Sequence, residues 1–438
     1  MIHKFFPEGG RLHIILKNLY YLSVENGLRI GLGFFISAWM TRMLGPEQFG
    51  VLSYVIGFGL IFAPLFSLGS DDIVISKLVG EVPNSSEVMG SSFMIKVIGS
   101  VLGSVSCIFA IWLIDGENRL ITTLVSLYAL SMTLKIFENT NLWFVGQEEI
   151  KEISMARNIV FLVLSAARVV GLYFKWEVSW FLSIAAAEFF LVAIVSLIVY
   201  RAKGMNIFSW TINWDLIKEI LARSVPLFLI LVFTILTAKI DQIMLGKMMD
   251  KYHLGQYSAA VKLIELWNFI PMALLSSTFP TLIDAFNNRP EAFEGHVVKV
   301  YAGCFYLALG LILVCFFFGD FITGTLYGEK YGDSGHYLRL YSLSAMASFF
   351  TMARVKILTI SSKIYSALFC MGFQVLLLIL LNIYLIPKYQ VSGAIYSVLA
   401  SFLISNILVS LFNRDIRESL KHLSLSCLYP FKLLGAKK

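Results

Sequence analysis

Charged residues inside long apolar segments are the part of this sequence that could do chemistry. A charge near the centre of a bilayer costs roughly 2.5–3.5 kcal/mol on insertion scales. Such residues are therefore expected to pair, to reach the membrane surface, or to line a water-filled cavity. The cations are Arg29, Lys135, Arg168, Lys239, Lys262 and Arg339, and the acids are Glu25, Glu138, Glu188, Asp241 and Glu265.

The spacing of these charges predicts which of them can pair within one helix. Residues three or four apart share a helix face. Three pairs meet this condition, namely Glu25–Arg29, Lys135–Glu138 and Lys262–Glu265. Lys239 and Asp241 are two residues apart, so they point in different directions and need other partners. Arg168 and Arg339 are expected close enough to a membrane surface for their head groups to reach it.

Cations at this depth suit the binding of an anionic head group such as a diphosphate. Arg and Lys can replace the lost hydration of that group with charge-assisted hydrogen bonds. Acids beside them can keep the empty site neutral or exchange protons. The acids and cations nearly cancel, so purely structural pairing remains an alternative.

The composition defines the elements that must position these residues. The chain has 438 residues, of which 58% are hydrophobic and 14% charged, against about 45–50% and about 25% in a soluble domain. We predict an all-α integral membrane protein of about twelve transmembrane helices, in two six-helix pseudo-symmetric bundles around a central cavity. The predicted spans are approximately 21–43, 49–70, 91–114, 120–145, 154–174, 178–200, 224–245, 254–283, 296–318, 336–359, 364–386 and 391–413.

The net charge of +7 fits basic cytoplasmic loops better than nucleic-acid binding. Lys and Arg are roughly three times as frequent on the side of the N-terminus as on the other side. This bias predicts that both termini are cytoplasmic. The predicted organisation is an N-terminal bundle, an amphipathic linker in the membrane interface, a C-terminal bundle and a basic tail on lipid head groups, at 1–200, 201–223, 224–413 and 414–438.

Signatures of enzymes and metal sites are missing from the sequence. It contains no HExxH, GxSxG, Walker A or CxxC motif. Four cysteines fall in predicted spans and Cys427 in the tail, without metal-ligand spacing, so we expect them to be apolar filler. The expectation is a transporter, with no catalytic residues, no metal and no cofactor.

A weak internal repeat relates the two predicted bundles. The tripeptide Met-Leu-Gly occurs at 43–45 and again at 244–246, an offset of 201. The runs FGVLSYV at 49–55 and LGQYSAAV at 254–261 follow with an offset of 205. Two six-helix halves that start on the same side form a parallel repeat, which is typical of alternating-access transporters.

Three motifs resemble a known family. TRMLGPEQFGVLSYV (41–55) is similar to the "R-x-LGPE-x-FG-x-x-x-Y" signature in the polysaccharide-transport branch of the multidrug/oligosaccharidyl-lipid/polysaccharide exporter superfamily. KIDQIMLG (239–246) with LGQYSAAVKLIELWNFIP (254–271) resembles the start of that family's second half. LIPKYQVSGAIYSVLAS (385–401) resembles its last hairpin.

The resemblance implies an oligosaccharide flippase of the O-antigen (Wzx) type in the bacterial inner membrane. Its substrate would be a polyprenyl-diphosphate-linked repeat unit, and its partners membrane lipids, a polysaccharide polymerase and a chain-length regulator. The implied substrate-binding residues are Arg29, Lys239, Lys262, Lys135 and Arg168. The implied residues for ion coupling or charge balance are Glu25, Asp241, Glu265 and Glu138, with a proton or sodium gradient suggested by the superfamily.

Three alternatives remain open at this point. A drug exporter of the same superfamily would have the same architecture, although the LGPEQFG run argues against it. A peptidoglycan-precursor flippase usually has further C-terminal spans. A membrane polysaccharide polymerase would be an enzyme with a large periplasmic loop, whereas the longest predicted outside loop here is about 319–335.

Overall fold

The computed structural model describes residues 11–79 and 84–427, and this part of the chain is built of helices without any strand. Ten helical segments in it are long and apolar enough to cross a membrane. Two of them contain a non-helical residue, Gly45 (φ 72°) and Gln390 (φ 54°). These breaks coincide with two predicted loops, so the structure agrees with the expectation of about twelve spans. The prediction of an all-α multi-pass membrane protein is confirmed.

The described residues form two compact units, each with its own helices. The N-terminal unit contains the described residues up to Leu44 together with Val55–Val232, and the C-terminal unit contains Gly45–Tyr54 and the described residues from Phe233 onward. Helices α1 and α9 pass from one unit to the other. The predicted domain boundaries stay a prediction.

The first nine helices begin in the N-terminal unit. They are α1 (Arg11–Ile61), α2 (Ala63–Ser67), α3 (Asp71–Leu78), α4 (Ser85–Asp115), α5 (Arg119–Met132), α6 (Asn139–Gly146), α7 (Ile150–Tyr173), α8 (Val178–Ala202) and α9 (Trp214–Met248). A 3-10 segment, Thr133–Glu138, joins α5 to α6.

The other seven helices belong to the C-terminal unit. They are α10 (Lys251–Trp267), α11 (Phe269–Asn288), α12 (Pro290–Tyr327), α13 (Ser334–Ser342), α14 (Ser344–Ile360), α15 (Ile364–Phe412) and α16 (Arg414–Cys427). The only non-α helical turn described there is the 3-10 turn Glu329–Tyr331.

The prediction of an interfacial helix between the halves is wrong for residues 203–213, which lie between α8 and α9. After α8 the chain turns, makes one 3-10 turn at Ile207–Ser209, and stays extended until Asn213 caps α9 with its side-chain oxygen. The extended stretch is fixed to α4 because Asn213 N donates to Ser91 Oγ at 3.1 Å. Trp210 Nε1 donates to Tyr200 Oη at 3.1 Å. Trp210 and Ile217, which were predicted to face lipid, therefore pack on protein, whereas Phe208 and Trp214 are exposed.

The tail after α15 is also partly different from the prediction. Residues 414–427 form a helix whose Ile416 is fully buried with Leu358, Ala367 and Cys370. Its basic residues Arg414 and Arg417 are exposed on the other face. This helix packs on protein, and the basic residues beyond it lie outside the described residues.

The repeated motifs approach each other through two glycines within the C-terminal unit. A methyl group at Gly50 would collide with the carbonyl oxygen of Lys251, and one at Gly255 with the carbonyl oxygen of Pro46. The two contacts are equivalent by the repeat, because the offset of 205 relates Gly50 to Gly255 and Pro46 to Lys251. Nearby, Lys251 Nζ donates to the Gly246 carbonyl at 2.6 Å and lies 3.4 Å from the centre of the Tyr54 ring. The repeat in the sequence therefore corresponds to a repeated backbone contact.

We predict that Gly50→Ala and Gly255→Ala each destabilise the protein by about 1–3 kcal/mol, because backbone atoms must separate to admit the methyl group. The measurement is thermal unfolding of the purified protein in detergent. Gly310→Ala is the control, since Gly310 lies inside α12 with open space around it. Equal unfolding temperatures for all three variants would contradict the close contact.

Candidate functional site

One carboxylate in the N-terminal unit binds two arginines from different helices. Glu25, on α1, is only 6% exposed. Its Oε1 lies 3.6 Å from Nε of Arg29, one turn along the same helix, as the spacing predicts. The same oxygen lies 3.5 Å from Nε of Arg157 on α7. Glu25 therefore joins α1 to α7.

A second carboxylate continues this network to a third arginine. Glu188, on α8, lies with Oε1 3.4 Å from Nη1 of Arg29. Its Oε2 accepts a hydrogen bond from Nη2 of Arg168 on α7 at 2.8 Å. The order of contacts is Arg157–Glu25–Arg29–Glu188–Arg168, which we call the arginine network. It contains three cations and two acids, so it has an excess of positive charge.

Several contacts in the arginine network are long. Charge-assisted N–H···O bonds are normally about 2.7–2.9 Å, whereas three of the four contacts measure 3.4–3.6 Å. The Nε atoms of Arg29 and Arg157 are buried without a hydrogen-bond partner among the described residues. The guanidinium of Arg29 also lies 5.4 Å from the Phe161 ring centre. The network thus has hydrogen-bond donors that an added oxyanion could use.

Sequence reasoning missed two members of this network. Arg157 is not among the intramembrane cations identified from the sequence, and Glu188 is identified there only as an intramembrane acid without a role. Arg157 could have been found from helix geometry, because Arg157, Phe161, Leu164 and Arg168 recur at intervals of three or four on one face of α7. The expected surface position of Arg168 is also corrected, since its side chain is only 19% exposed and is paired with Glu188.

Lys135 and Glu138 do not form the predicted pair, and Lys135 lies close to this network. They belong to the 3-10 segment Thr133–Glu138, and no ion pair joins them in the described structure. Lys135 Nζ instead lies 5.8 Å from the ring centre of Phe189, the residue that follows Glu188. The 3-10 geometry does not account for the missing pair, because residues three apart share a face in a 3-10 helix too; a shared face alone therefore does not predict pairing.

The C-terminal unit has its own ion pair, with a different partner from the one predicted. Lys239 Nζ on α9 donates to Glu265 Oε1 on α10 at 2.7 Å. Lys262 was predicted to bind Glu265, but its Nζ lies 5.3 Å from the ring centre of Phe49. Spacing along α10 could not reveal that α9 supplies a nearer cation.

Asp241, two residues after Lys239 in the sequence, is held by hydrogen bonds. Its side chain is fully buried. Oδ1 accepts from the backbone N of Gln242 at 2.7 Å, and Oδ2 accepts from the hydroxyl of Tyr257. Tyr341 stands edge-on to Tyr257, with ring centres 5.6 Å apart. The two tyrosines were not predicted, because tyrosine in an apolar segment gives no signal by itself.

Two further predictions concern the edges of the site. Arg339 is bound to Asp320 by two hydrogen bonds of 2.6 and 2.7 Å at a partly exposed position, away from both clusters. No group of three metal-ligating side chains occurs within the described ranges. The predicted site residues therefore fall into one cluster in each unit.

The comparisons with known proteins agree with this architecture. The chain matches the family model described as "Polysaccharide biosynthesis protein" over residues 15–286, which is more than half its length. It is 23% identical over 397 residues to the capsular polysaccharide biosynthesis protein CapF of Staphylococcus aureus, covering 88% of this chain and 96% of that one.

Solved transporter structures share the fold. A MATE family multidrug transporter of the MOP superfamily, in an inward-facing conformation, matches with a TM-score of 0.66 at 14% identity, over 90% of this chain and 98% of that chain. The Lipid II flippase MurJ, in an inward closed conformation, matches with a TM-score of 0.64 at 12% identity, over 96% and 93%. The fold is that of a multi-pass membrane transporter, and the chain belongs to the polysaccharide biosynthesis protein family.

Glu188 should be the acid whose loss disturbs the arginine network most. Glu188→Gln leaves Arg29 and Arg168 without their shared partner, so we predict a loss of about 1–3 kcal/mol, below the about 3–5 kcal/mol of a fully buried pair. Adding Arg168→Gln to Glu188→Gln should recover part of the loss, because it removes one uncompensated cation. Thermal unfolding in detergent measures both.

The matched control for this prediction is Glu177→Gln, at an exposed position just before α8. Its unfolding temperature should equal that of the unmodified protein. If Glu188→Gln behaves like this control, the network does not stabilise the unit.

Proposed function

We propose that this protein is a flippase for polyprenyl-diphosphate-linked oligosaccharide repeat units, such as those of O-antigen or a related surface polysaccharide. The observation that carries the proposal is the arginine network, an excess of positive charge within apolar helices of a polysaccharide biosynthesis family member. We place the protein in the bacterial inner membrane with both termini cytoplasmic. The reaction is reversible binding and alternating access, with no covalent step.

The arginine network is the proposed site for the diphosphate. Arg29, Arg157 and Arg168 approach two acids from α1 and α7. A diphosphate that displaces a carboxylate from one guanidinium gains short charge-assisted bonds where the present contacts are long. The acids Glu25 and Glu188 keep the empty network from carrying three uncompensated charges. Lys135 lies at its edge, near Phe189.

The cluster in the C-terminal unit is the proposed coupling site. Asp241 and Glu265 are carboxylates that could take up and release a proton or sodium ion, and Tyr257 positions Asp241. Lys239 and Lys262 supply positive charge for acidic sugars or for the diphosphate. Protonation of Glu265 would weaken its bond to Lys239, which links ion binding to a change in the available cations.

The alternative transporters differ in the charge that they must bind. A drug exporter for cations would need an excess of acids, and the arginine network has an excess of cations. A peptidoglycan-precursor flippase would share the diphosphate chemistry, so it differs only in the sugar. A polysaccharide polymerase would need catalytic groups. Genes for glycosyltransferases, a polymerase and a chain-length regulator beside this gene would favour the proposed flippase for surface-polysaccharide repeat units.

We predict that Arg29→Gln, Arg157→Gln and Lys239→Ala reduce delivery of the lipid-linked repeat unit to the outer leaflet, by at least about tenfold if each removes one charge-assisted contact. The assay is deletion of the gene, complementation with each variant, and leaflet-resolved quantification of the repeat unit. Arg119→Gln is the control, because Arg119 is exposed at the start of α5.

Two negative outcomes of this transport assay would be informative. Unchanged outer-leaflet delivery after deletion, in a strain without a second flippase, contradicts the flippase proposal itself. Full activity of all three variants at normal membrane levels retains the flippase and removes these residues from its site.

Coupling is tested separately at Asp241. Asp241→Asn keeps the acceptor for the Tyr257 hydroxyl but cannot exchange a proton at neutral pH. We predict that a pH gradient or sodium gradient accelerates transport by the unmodified protein in vesicles and fails to accelerate transport by this variant. Tyr257→Phe is the comparison that removes the hydrogen bond alone. A gradient response in Asp241→Asn equal to that of the unmodified protein contradicts the coupling role.

A further inference from the structure

Arg354 on α14 is the largest side chain that is completely buried among the described residues. Its Nη1 donates a hydrogen bond to Asn406 Oδ1 on α15. Its guanidinium lies 5.4 Å from the ring centre of Phe350. No carboxylate forms an ion pair with it anywhere in the described ranges. A buried guanidinium in this position carries a charge that no described acidic side chain neutralises.

The unsatisfied part of this guanidinium has a specific geometry. Nε and Nη2 are buried without hydrogen-bond partners among the described residues. These two atoms form one edge of the planar group and direct two parallel N–H bonds to the same side. Parallel donors of this kind bind the two oxygens of a carboxylate or phosphate. The bond that Arg354 does make uses the remaining nitrogen, so the edge is left available.

Two polar, uncharged side chains lie near the guanidinium of Arg354, and the nearer one, the thiol of Cys370, is within hydrogen-bonding range of it. The thiol of Cys370 and the hydroxyl of Tyr301 lie beside it, on α15 and α12. Burial of a charge without a partner is expensive, and a thiol and a hydroxyl provide little compensation. An anion at the free edge of Arg354 would supply the missing charge.

Helix α16 packs over the side chains beside Arg354. Ile416 packs with Cys370, and Ser419 lies beside Tyr301. The start of the helix is fixed by Lys363, whose Nζ lies 2.7 Å from Asp415 Oδ1, and by Ser366, which donates to Asp415 Oδ2 at 2.6 Å. Burial by itself would raise the pKa of Asp415, but these hydrogen bonds lower it below its ordinary value. The Asp415 carboxylate therefore stays ionised at neutral pH and keeps its contact with Lys363.

We propose that Arg354 and Asn406 form a binding site for a phosphate group, separate from the arginine network, and that α16 is the cover that opens to admit it. The basic outer face of α16, with Arg414 and Arg417 exposed, attracts phosphate groups to the same place. The phosphate could belong to a lipid head group or be free in solution. The proposal does not depend on the flippase function.

Two probes distinguish these sources. The unfolding temperature of the purified protein in detergent is measured against inorganic phosphate, at constant ionic strength set with chloride, and against dioctanoyl phosphatidic acid. Ligand that binds only the folded state raises this temperature with its concentration. A rise with both probes identifies a phosphate site of general type, and a rise with the lipid alone identifies a head-group site.

The variants make the effect specific to Arg354. Arg354→Gln should lose the rise, while Arg119→Gln, which removes an exposed cation at the start of α5, should keep it. Asn406→Asp supplies a carboxylate to Arg354, so it should raise the unfolding temperature without any probe and abolish the response to both probes. Lys363→Gln loosens α16, so half of the rise should be reached at a lower probe concentration.

The proposal is overturned if neither probe stabilises the unmodified protein, or if Arg354→Gln responds as the unmodified protein does. Should Arg354→Gln fail to fold, Asn406→Asp decides the question. A lower unfolding temperature for Asn406→Asp with an intact phosphate response contradicts the site. An unchanged half-effect concentration in Lys363→Gln contradicts the role of α16 as its cover.

Discussion

The desolvation of charge is the constraint on which the arrangement of these helices depends. A charge near the bilayer centre costs roughly 2.5–3.5 kcal/mol, so each one requires partners supplied by other helices. Glu25 joins α1 to α7, Glu188 joins α7 and α8 to α1, and Lys239 joins α9 to α10. The same contacts that make the charges tolerable determine which helices are neighbours. The candidate sites and the packing of the units are therefore products of one requirement.

A second constraint comes from the backbone, where the repeated motifs meet. Gly50 and Gly255 allow carbonyl oxygens of the opposite segment to approach within a distance that no side chain permits. Gly45 adopts a positive φ that ends the first straight segment of α1, a conformation that glycine adopts with little strain. The LGPEQFG run is thus a structural motif: one glycine changes the direction of the chain and the other allows the close contact.

The sequence predicted the class of fold and most of the helix limits because long apolar segments have few alternatives in a membrane. It also identified Arg29, Lys239 and Asp241 as unusual residues, since an ionisable side chain in such a segment is visible without a structure. Partners were harder to predict. Glu265 binds Lys239 on another helix, and Glu25 binds Arg157 as well as Arg29, because contacts between helices depend on rotation about each axis. The spacing of residues along one helix contains no information on that rotation.

The two units balance their charges in different ways, and this difference bears on the proposed mechanism. The arginine network combines three cations with two acids through mostly long contacts, so an arriving anion can improve on them. In the C-terminal unit, the contacts of Lys239 with Glu265 and of Asp241 with Gln242 are short at 2.7 Å, so an anion would gain little by replacing Glu265 there while that acid is ionised. Carboxylates that accept short hydrogen bonds respond instead to protons or metal cations, which compete for the same oxygens. Under the proposed function, this contrast assigns substrate binding to the loosely paired cations and coupling to the tightly bound acids.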